Sequence, residues 1–410
     1  MGFVRIGFIS FRVSGTDGVS LEAERWRTIL LSMGHEVTFI AGGLDRSGIL
    51  LPSLHFTHPD VFRVHQTVVD NDVNYRKVEK EIFSLAGEIE GELRVLFRQN
   101  RFDRLVVANV FSLPIHFPLA VALERVIHEY GIVTVARHHD FWWERKRYLK
   151  SHCFEFFKRF FPPAEKNISH VVINSIAKRE LKERTGLTAS VIGDCFDFLG
   201  RANRVDEYVK RWREDFSIRK EDIVFLQATR IVPRKRIELS IELVKRLSDP
   251  HVVLVLAGYA GDESGDYLDK IKDLARKAGI RAKFIANRVG SRREVLGLRR
   301  TYTLWDCFAN CDLVTYPSEV EGFGNQFIEA VYFKKPIFVN RYPVYRTDIE
   351  PLGFKTVAIN GEVSDTAVEK VRLLLRDFQK VNGMTEENFK LGKRHFSFEA
   401  VEKKLESLGF

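Results

Sequence analysis

Residues 317–330 read PSEVEGFGNQFIEA, and the apolar run DLVTYPS (312–318) leads into them. An apolar run, a turn with two glycines and a helix-forming segment predict a strand, a loop and a helix in that order. A helix start presents unpaired amides and a positive dipole end, which suits a phosphate. Gly322 and Gly324 would let backbone approach such an anion closely. Glu321 falls in the loop, and Glu329 falls about two turns inside the helix. A phosphate flanked by hydroxyl groups, as in a nucleotide sugar, fits this arrangement. A plain strand–turn–helix carrying two surface acids fits it equally well.

The same alternation runs along the chain. VRIGFIS (4–10), HEVTFIAGG (35–43), RLVVANV (104–110), IVTVAR (132–137) and HVVINS (170–175) read as buried strands, each followed by helix-like sequence. A second set follows a charged stretch: DIVFLQAT (222–229), HVVLVLAG (251–258), AKFIAN (282–287), DLVTYPS and KPIFVN (335–340). The pattern predicts an α/β protein with two Rossmann-like domains. The first covers residues 1–200, a linker 201–221, and the second 222–385, with a C-terminal helix of about 386–410 packing back on the first. Ligands of such sheets bind at the carboxyl ends of the strands, so the two domains are expected to face a central cleft there.

The bulk composition is that of a soluble globular protein, with 410 residues, 45% hydrophobic and 29% charged. A net charge of +9 favours anionic partners. The basic residues are dispersed, which argues against nucleic acid. The four cysteines, Cys153, Cys195, Cys307 and Cys311, include no CxxC and suit a reducing, cytoplasmic compartment. No apolar run approaches the ~20 residues of a membrane span. MGFVRIGFIS at the start reads as a strand, not a signal peptide.

A basic loop adds weight to the anion reading. ATRIVPRKRIELSIELVKRL (228–247) is a strand end, then Arg230, Arg234, Lys235 and Arg236 around a proline, then a helix. Cations at a strand's carboxyl end would neutralise a diphosphate. Two acids alone would also suit a glycosidase, but a glycosidase needs no diphosphate cradle.

ATRIVPRK, LAGYAGDE, FIANRV, CDLVTYPS and EGFGNQFIEA, taken in order, resemble the family 4 retaining glycosyltransferases of GT-B fold. The seven-residue gap between Glu321 and Glu329 matches that family's paired-glutamate signature. SGTDGVSLEAERWRTILLSMGHEVTFIAGG resembles its opening glycine loop, which includes Gly18. VINSIAKREL and VIGDCFDF resemble later segments of its first domain. The resemblance implies Glu321, Arg230, Lys235 and His139 as the catalytic set. It implies donor contacts from Gly18, Arg230, Lys235, Gly258, Gly322, Phe323, Gly324, Asn325 and Glu329. It implies transfer of a hexose from a nucleotide sugar with retention, and no cofactor or essential metal beyond that donor.

RHHDFWWERKRY (137–148) follows a strand of the first domain. His138, Asp140 and Trp142 are expected at the acceptor, with Arg341 and Tyr342 from the loop NRYP (340–343); packing aromatics are the alternative for the tryptophans. Residues 45–100 and 141–165 depart from the family pattern, and so does the bulky NRYP loop. These features suit the branch that makes mannosylglucosylglycerate-type compatible solutes from GDP-mannose, with a small anionic acceptor such as glucosylglycerate. FEFFKRFFPP (154–163) reads either as a membrane-surface helix or as a helix packed on its own domain. A membrane-associated enzyme of glycolipid synthesis, and a non-catalytic nucleotide-sugar-binding protein, therefore stand as alternatives. Asp70 and Asp72 in VDNDVNY read as helix caps, not metal ligands, and HFTH (55–58) as a loop.

Overall fold

The computed structural model describes residues 2–15, 18–149, 151–200, 206–260, 266–297 and 299–410. Residues 16–17 of the expected glycine loop, 201–205 of the expected linker and 261–263 of LAGYAGDE lie outside this set. The chain forms two compact units, Met1–Asp194 with Val401–Phe410, and Cys195–Ala400.

Unit 1 carries β1 (Arg5–Ser10), β2 (Glu36–Ala41), β3 (Ile49–Leu50), β4 (Arg104–Ala108), β5 (Val133–His138), β6 (Ile168–Val172) and β7 (Ala189–Val191). They lie in the order β3-β2-β1-β4-β5-β6-β7, all parallel. Unit 2 carries β8 (Ile223–Gln227), β9 (Val252–Leu256), β10 (Arg281–Phe284), a hairpin of β11 (Glu294–Leu296) and β12 (Arg299–Thr301), then β13 (Leu313–Tyr316), β14 (Ile337–Asn340) and β15 (Val357–Ile359). Its parallel sheet runs β10-β9-β8-β13-β14-β15. All five residues of β9 are buried, as helices on both faces of a parallel sheet require. Each such Val or Leu contributes about 1.5–3 kcal/mol by leaving water. In both sheets the order reverses beside the first strand, between β1 and β4 and between β8 and β13. In sheets of this kind, ligands bind at the carboxyl ends of the strands at such a switch point.

Residues 206–221 do not form the expected linker. They fold as two short helices, Glu207–Lys210 and Trp212–Asp215, within unit 2. Trp212 is fully buried, and Arg213 donates to the Asp222 carbonyl at 2.8 Å. The tail is also divided. Helix Phe378–Phe396 belongs to unit 2, and only Val401–Phe410 is counted with unit 1, where Arg104 lies 5.7 Å over the Phe410 ring.

FEFFKRFFPP forms helix Phe154–Phe160, with Phe156, Phe157, Phe160 and Phe161 inside the unit 1 core. The helix is therefore packed on its own unit, with Lys158 and Arg159 exposed. Among the described residues no helix is long and apolar enough to cross a membrane. Asp70 and Asp72 do not cap a helix. The short turn Tyr75–Lys77 is capped instead by Asn74, whose side chain accepts from the Arg76 amide at 3.1 Å. All four cysteines are buried thiols, with no disulfide among the described residues.

Candidate active site

The switch point of unit 2 lies between β8 and β13, and the loops leaving these strands meet there. The first loop brings Arg230, Arg234 and Lys235; the second brings Glu321 and the Gly-Phe-Gly turn. The loops are joined by backbone, since the Glu319 amide donates to the Arg234 carbonyl at 2.9 Å. Arg234 also donates to the Val320 carbonyl at 3.2 Å.

Across this joint Lys235 Nζ donates to Glu321 Oε1, and Arg234 reaches Glu321 Oε2 at 3.4 Å. Both partners of the Lys235–Glu321 pair are nearly buried, with side chains 8% and 9% exposed. Burial pushes the Lys235 pKa down against the pull of Glu321, and the charges of Arg234 and Arg230 push it further. Burial alone would raise the Glu321 carboxyl, but Lys235 and Arg234 outweigh it and hold it below the usual range. The buried Tyr316 hydroxyl lies beside the same carboxylate. Three cations less one carboxylate leave an excess of two positive charges. That is the balance a dianionic diphosphate would neutralise.

Beneath the loop sits Gln227, the last residue of β8 and fully buried. Its amide nitrogen donates to the Lys235 carbonyl at 3.2 Å and the Thr229 hydroxyl at 3.3 Å. Its oxygen accepts from Ser240 at 2.7 Å. Gly258, after β9, admits the same loop. A β-carbon there would strike the Thr229 carbonyl and lie 2.8 Å from the Arg230 nitrogen.

The turn after β13 is built with equal constraint. Gly324 has φ +143° and precedes helix Asn325–Tyr332, which contains Glu329. A side chain there would be strained by φ and would meet the Tyr342 hydroxyl at 2.5 Å. That hydroxyl donates to the Phe323 carbonyl at 2.7 Å. Phe323 is buried against Phe396 of helix Phe378–Phe396, at 5.5 Å, while Gly322 is exposed. Asn340 braces the loop from below, donating to the Ser318 carbonyl at 3.0 Å and accepting from the Gly361 amide at 2.8 Å.

In unit 1, His139 follows β5 and Asn109 follows β4. Asn109 adopts φ +61°, a left-handed conformation that asparagine tolerates. Its Oδ1 accepts from the His139 backbone amide at 2.9 Å and faces His139 Nδ1 at 3.1 Å. An oxygen already accepting from an amide makes Nδ1 the donor, so Nε2 carries the lone pair. Nε2 is buried without a hydrogen-bond partner, and burial with the nearby Arg137 holds this imidazole neutral, well below its ordinary pKa. Helix Gly18–Ser32 is anchored by Arg137, which donates to Glu22 at 3.1 Å and lies 4.5 Å over the Trp26 ring.

Residues 209–391 match the family described as glycosyl transferases group 1. A mannosylglucosylglycerate synthase of Thermotoga maritima is 35% identical over 437 residues, spanning 97% of this chain and 98% of that protein. One of Petrotoga mobilis is 34% identical over 436 residues, spanning 96% and 98%. The chain belongs to the group 1 glycosyl transferases. A glycosyltransferase crystal structure from Rickettsia africae superposes with a TM-score of 0.69 at 13% identity, over 100% of this chain and 98% of that one. The fold is accordingly GT-B, with two Rossmann-like units, as the sequence led us to expect.

The glycosyltransferase brings together Lys235, Arg234 and Glu321, with Arg230 close enough to depress Lys235. Several expected acceptor residues are otherwise engaged. His138 is 1% exposed; its Nε2 is 3.0 Å from His170 Nδ1 and its ring packs on Phe141, so it packs as a core residue. Tyr342 is also 1% exposed and supports the glycine turn from beneath. Trp142 donates to the Phe161 carbonyl at 2.9 Å and packs on Phe157, which is the packing alternative. Asp140 is paired with Arg145 at 2.9 Å, and Arg341 with Glu350 at 2.7 Å. The supporting residues Gln227 and Asn109 escaped the sequence reading, which took Asn340 only as part of the NRYP loop. A glutamine ending the apolar run IVFLQ was the one available signal.

Proposed function

We propose that this enzyme transfers mannose from GDP-mannose to a hydroxyl of a small anionic sugar acceptor, glucosylglycerate, with retention of configuration. The observation that carries the donor side is the buried Lys235–Glu321 pair at the head of helix Asn325–Tyr332, flanked by Arg234 and Arg230. The names of the two relatives that match nearly the whole chain support a sugar–glycerate product.

As the bond to the diphosphate breaks, negative charge grows on its oxygens. Lys235, Arg230 and the amides of Phe323–Asn325 stabilise that charge more than the ground state, which lowers the barrier. Glu321 holds Lys235 extended and lies nearest the sugar; Glu329 takes the ribose. Gly18 offers a backbone amide to the donor. His139 Nε2 accepts from a hydroxyl of the transferred hexose, a bond that also satisfies a buried acceptor otherwise left unpaired at ~1–3 kcal/mol. The acceptor hydroxyl attacks on the face the diphosphate leaves and passes its proton to a donor phosphate oxygen. The proton transfer therefore needs no protein base.

The test is nucleoside diphosphate release from GDP-mannose, GDP-glucose, UDP-glucose and ADP-glucose, with and without glucosylglycerate, and the anomeric configuration of the product by NMR. Release from GDP-mannose that depends on glucosylglycerate, giving an α-mannoside, is expected. No acceptor-dependent release from any of the four donors would contradict the proposal.

A further inference from the structure

In unit 1 the loops leaving β1 and β2 converge on a group of side chains that the reaction above leaves unused. Arg12 follows β1. Gly42 and Gly43 follow β2, and HFTH (55–58) returns against them. A β-carbon at Gly42 would run into the backbone of His55. At Gly43 it would meet the His55 ring at 3.1 Å and the Arg12 side chain at 3.3 Å. The two glycines thus make the room in which His55 and Arg12 sit side by side. Phe56 is the floor: its ring stacks on His55 at 4.5 Å between centroids, and the Arg12 guanidinium lies 5.8 Å above it.

The hydrogen bonds fix which nitrogen of His55 can bind a ligand. The Thr57 amide donates to His55 Nδ1 at 3.2 Å, so Nδ1 is an acceptor and the ring proton is on Nε2. Burial and the Arg12 charge both keep this ring neutral, and a neutral ring presents a single N–H. His55 is half-buried and Arg12 exposed, so both can be reached from solvent. His116 is different. It is fully buried, with Nε2 on the Ser53 carbonyl at 2.9 Å and Nδ1 accepting from the Leu119 amide at 3.1 Å. It positions the segment and has no valence left for a ligand.

A planar guanidinium beside one N–H donor is the donor set for a carboxylate. His55 lies in the stretch 45–100 that sets this sequence apart from the general family pattern, as a determinant of acceptor choice should. We infer that Arg12 and His55 Nε2–H together hold the carboxylate of the sugar-acid acceptor. This assignment rests on the reading of the acceptor as a sugar acid.

Calorimetric titration of the full-length enzyme in saturating GDP tests it, using glucosylglycerate and its uncharged counterpart glucosylglycerol. Arg12→Ala and His55→Ala should each weaken glucosylglycerate at least about tenfold and leave glucosylglycerol within about twofold. His55→Gln, whose amide still donates, should recover part of the loss. Unchanged GDP affinity reports that the variants are folded. Variants that bind glucosylglycerate as the wild type does, or that lose both compounds equally, overturn the assignment while the sugar-acid reading stands. A wild-type enzyme that does not prefer glucosylglycerate over glucosylglycerol removes the sugar-acid reading, and the assignment with it.

Discussion

The carbonyl of Thr229 occupies the space that a side chain at Gly258 would need. β8 and β9 are neighbours, and the Ile231 amide donates to the Tyr259 carbonyl at 3.0 Å, so their loops are held in contact just past the strands. Gly258→Ala must push the Thr229–Arg230 backbone away, and Arg230 with it. We expect kcat/KM to fall at least ~10-fold, since an ångström of misplacement has that effect on positioned groups. Steady-state kinetics alongside thermal unfolding checks this. A variant with full activity would mean that this contact does not set Arg230.

Gln227 ties the Lys235 loop to the strand beneath it. Gln227→Leu keeps the approximate volume but leaves the Lys235 carbonyl and the Ser240 hydroxyl without their buried partner. The expected loss is ~1–3 kcal/mol of unit 2 stability, read from the urea midpoint, with a fall in kcat. An unchanged midpoint would show that the network contributes nothing.

Unit 1 should be acid-sensitive. Burial lowers the pKa of His116 and of His170 to about 4 in the folded chain, against ~6.5 when unfolded. Between those values the unfolded chain binds more protons. Stability is therefore full above pH ~6.5 and falls as pH drops toward 4, by about 3 kcal/mol for each histidine. Urea unfolding at several pH values checks the direction, and His170→Gln should flatten the slope by one histidine's share. A slope unchanged in that variant would contradict the assignment.

Activity should survive chelation. Asp72 lies in a left-handed turn, and Asp70 Oδ2 lies 3.8 Å from His65 Nδ1. Among the described residues no group of three His, Cys, Asp or Glu is placed to hold a metal ion. An EDTA-treated, desalted enzyme should keep most of its rate. Loss restored by a divalent ion would bring Asp70 and Asp72 back as ligands.

The central strands were legible because each is an apolar run buried on both faces, as VVLVL at 252–256 is. β3, β7 and β15 escaped because edge strands of two or three residues carry too little pattern. The β11–β12 hairpin is mostly exposed, with Leu296 72% accessible, so it never showed as a core strand. Glu321, Lys235 and the glycine turn were legible because a basic loop after one strand, and two glycines and an acid between another strand and its helix, are patterns carried by the sequence itself. Tyr342 and His138 were misplaced for one reason: a polar residue at a strand's carboxyl end can point into the crevice or beneath it, and sequence spacing is the same in both cases. Gly42 and Gly43 carry the sharpest unread signal, since only the returning chain at His55 explains them.

The central claim is that Lys235, held out by Glu321, receives the charge of the departing diphosphate. The direct measurement is turnover of Lys235→Ala with saturating donor and acceptor, with GDP affinity measured in parallel. We expect a kcat at least ~100-fold below wild type, the usual cost of losing one electrostatic stabiliser of a transition state, in a protein that still unfolds cooperatively, at a lower temperature because Glu321 loses its buried partner. A kcat within about threefold of wild type would contradict it.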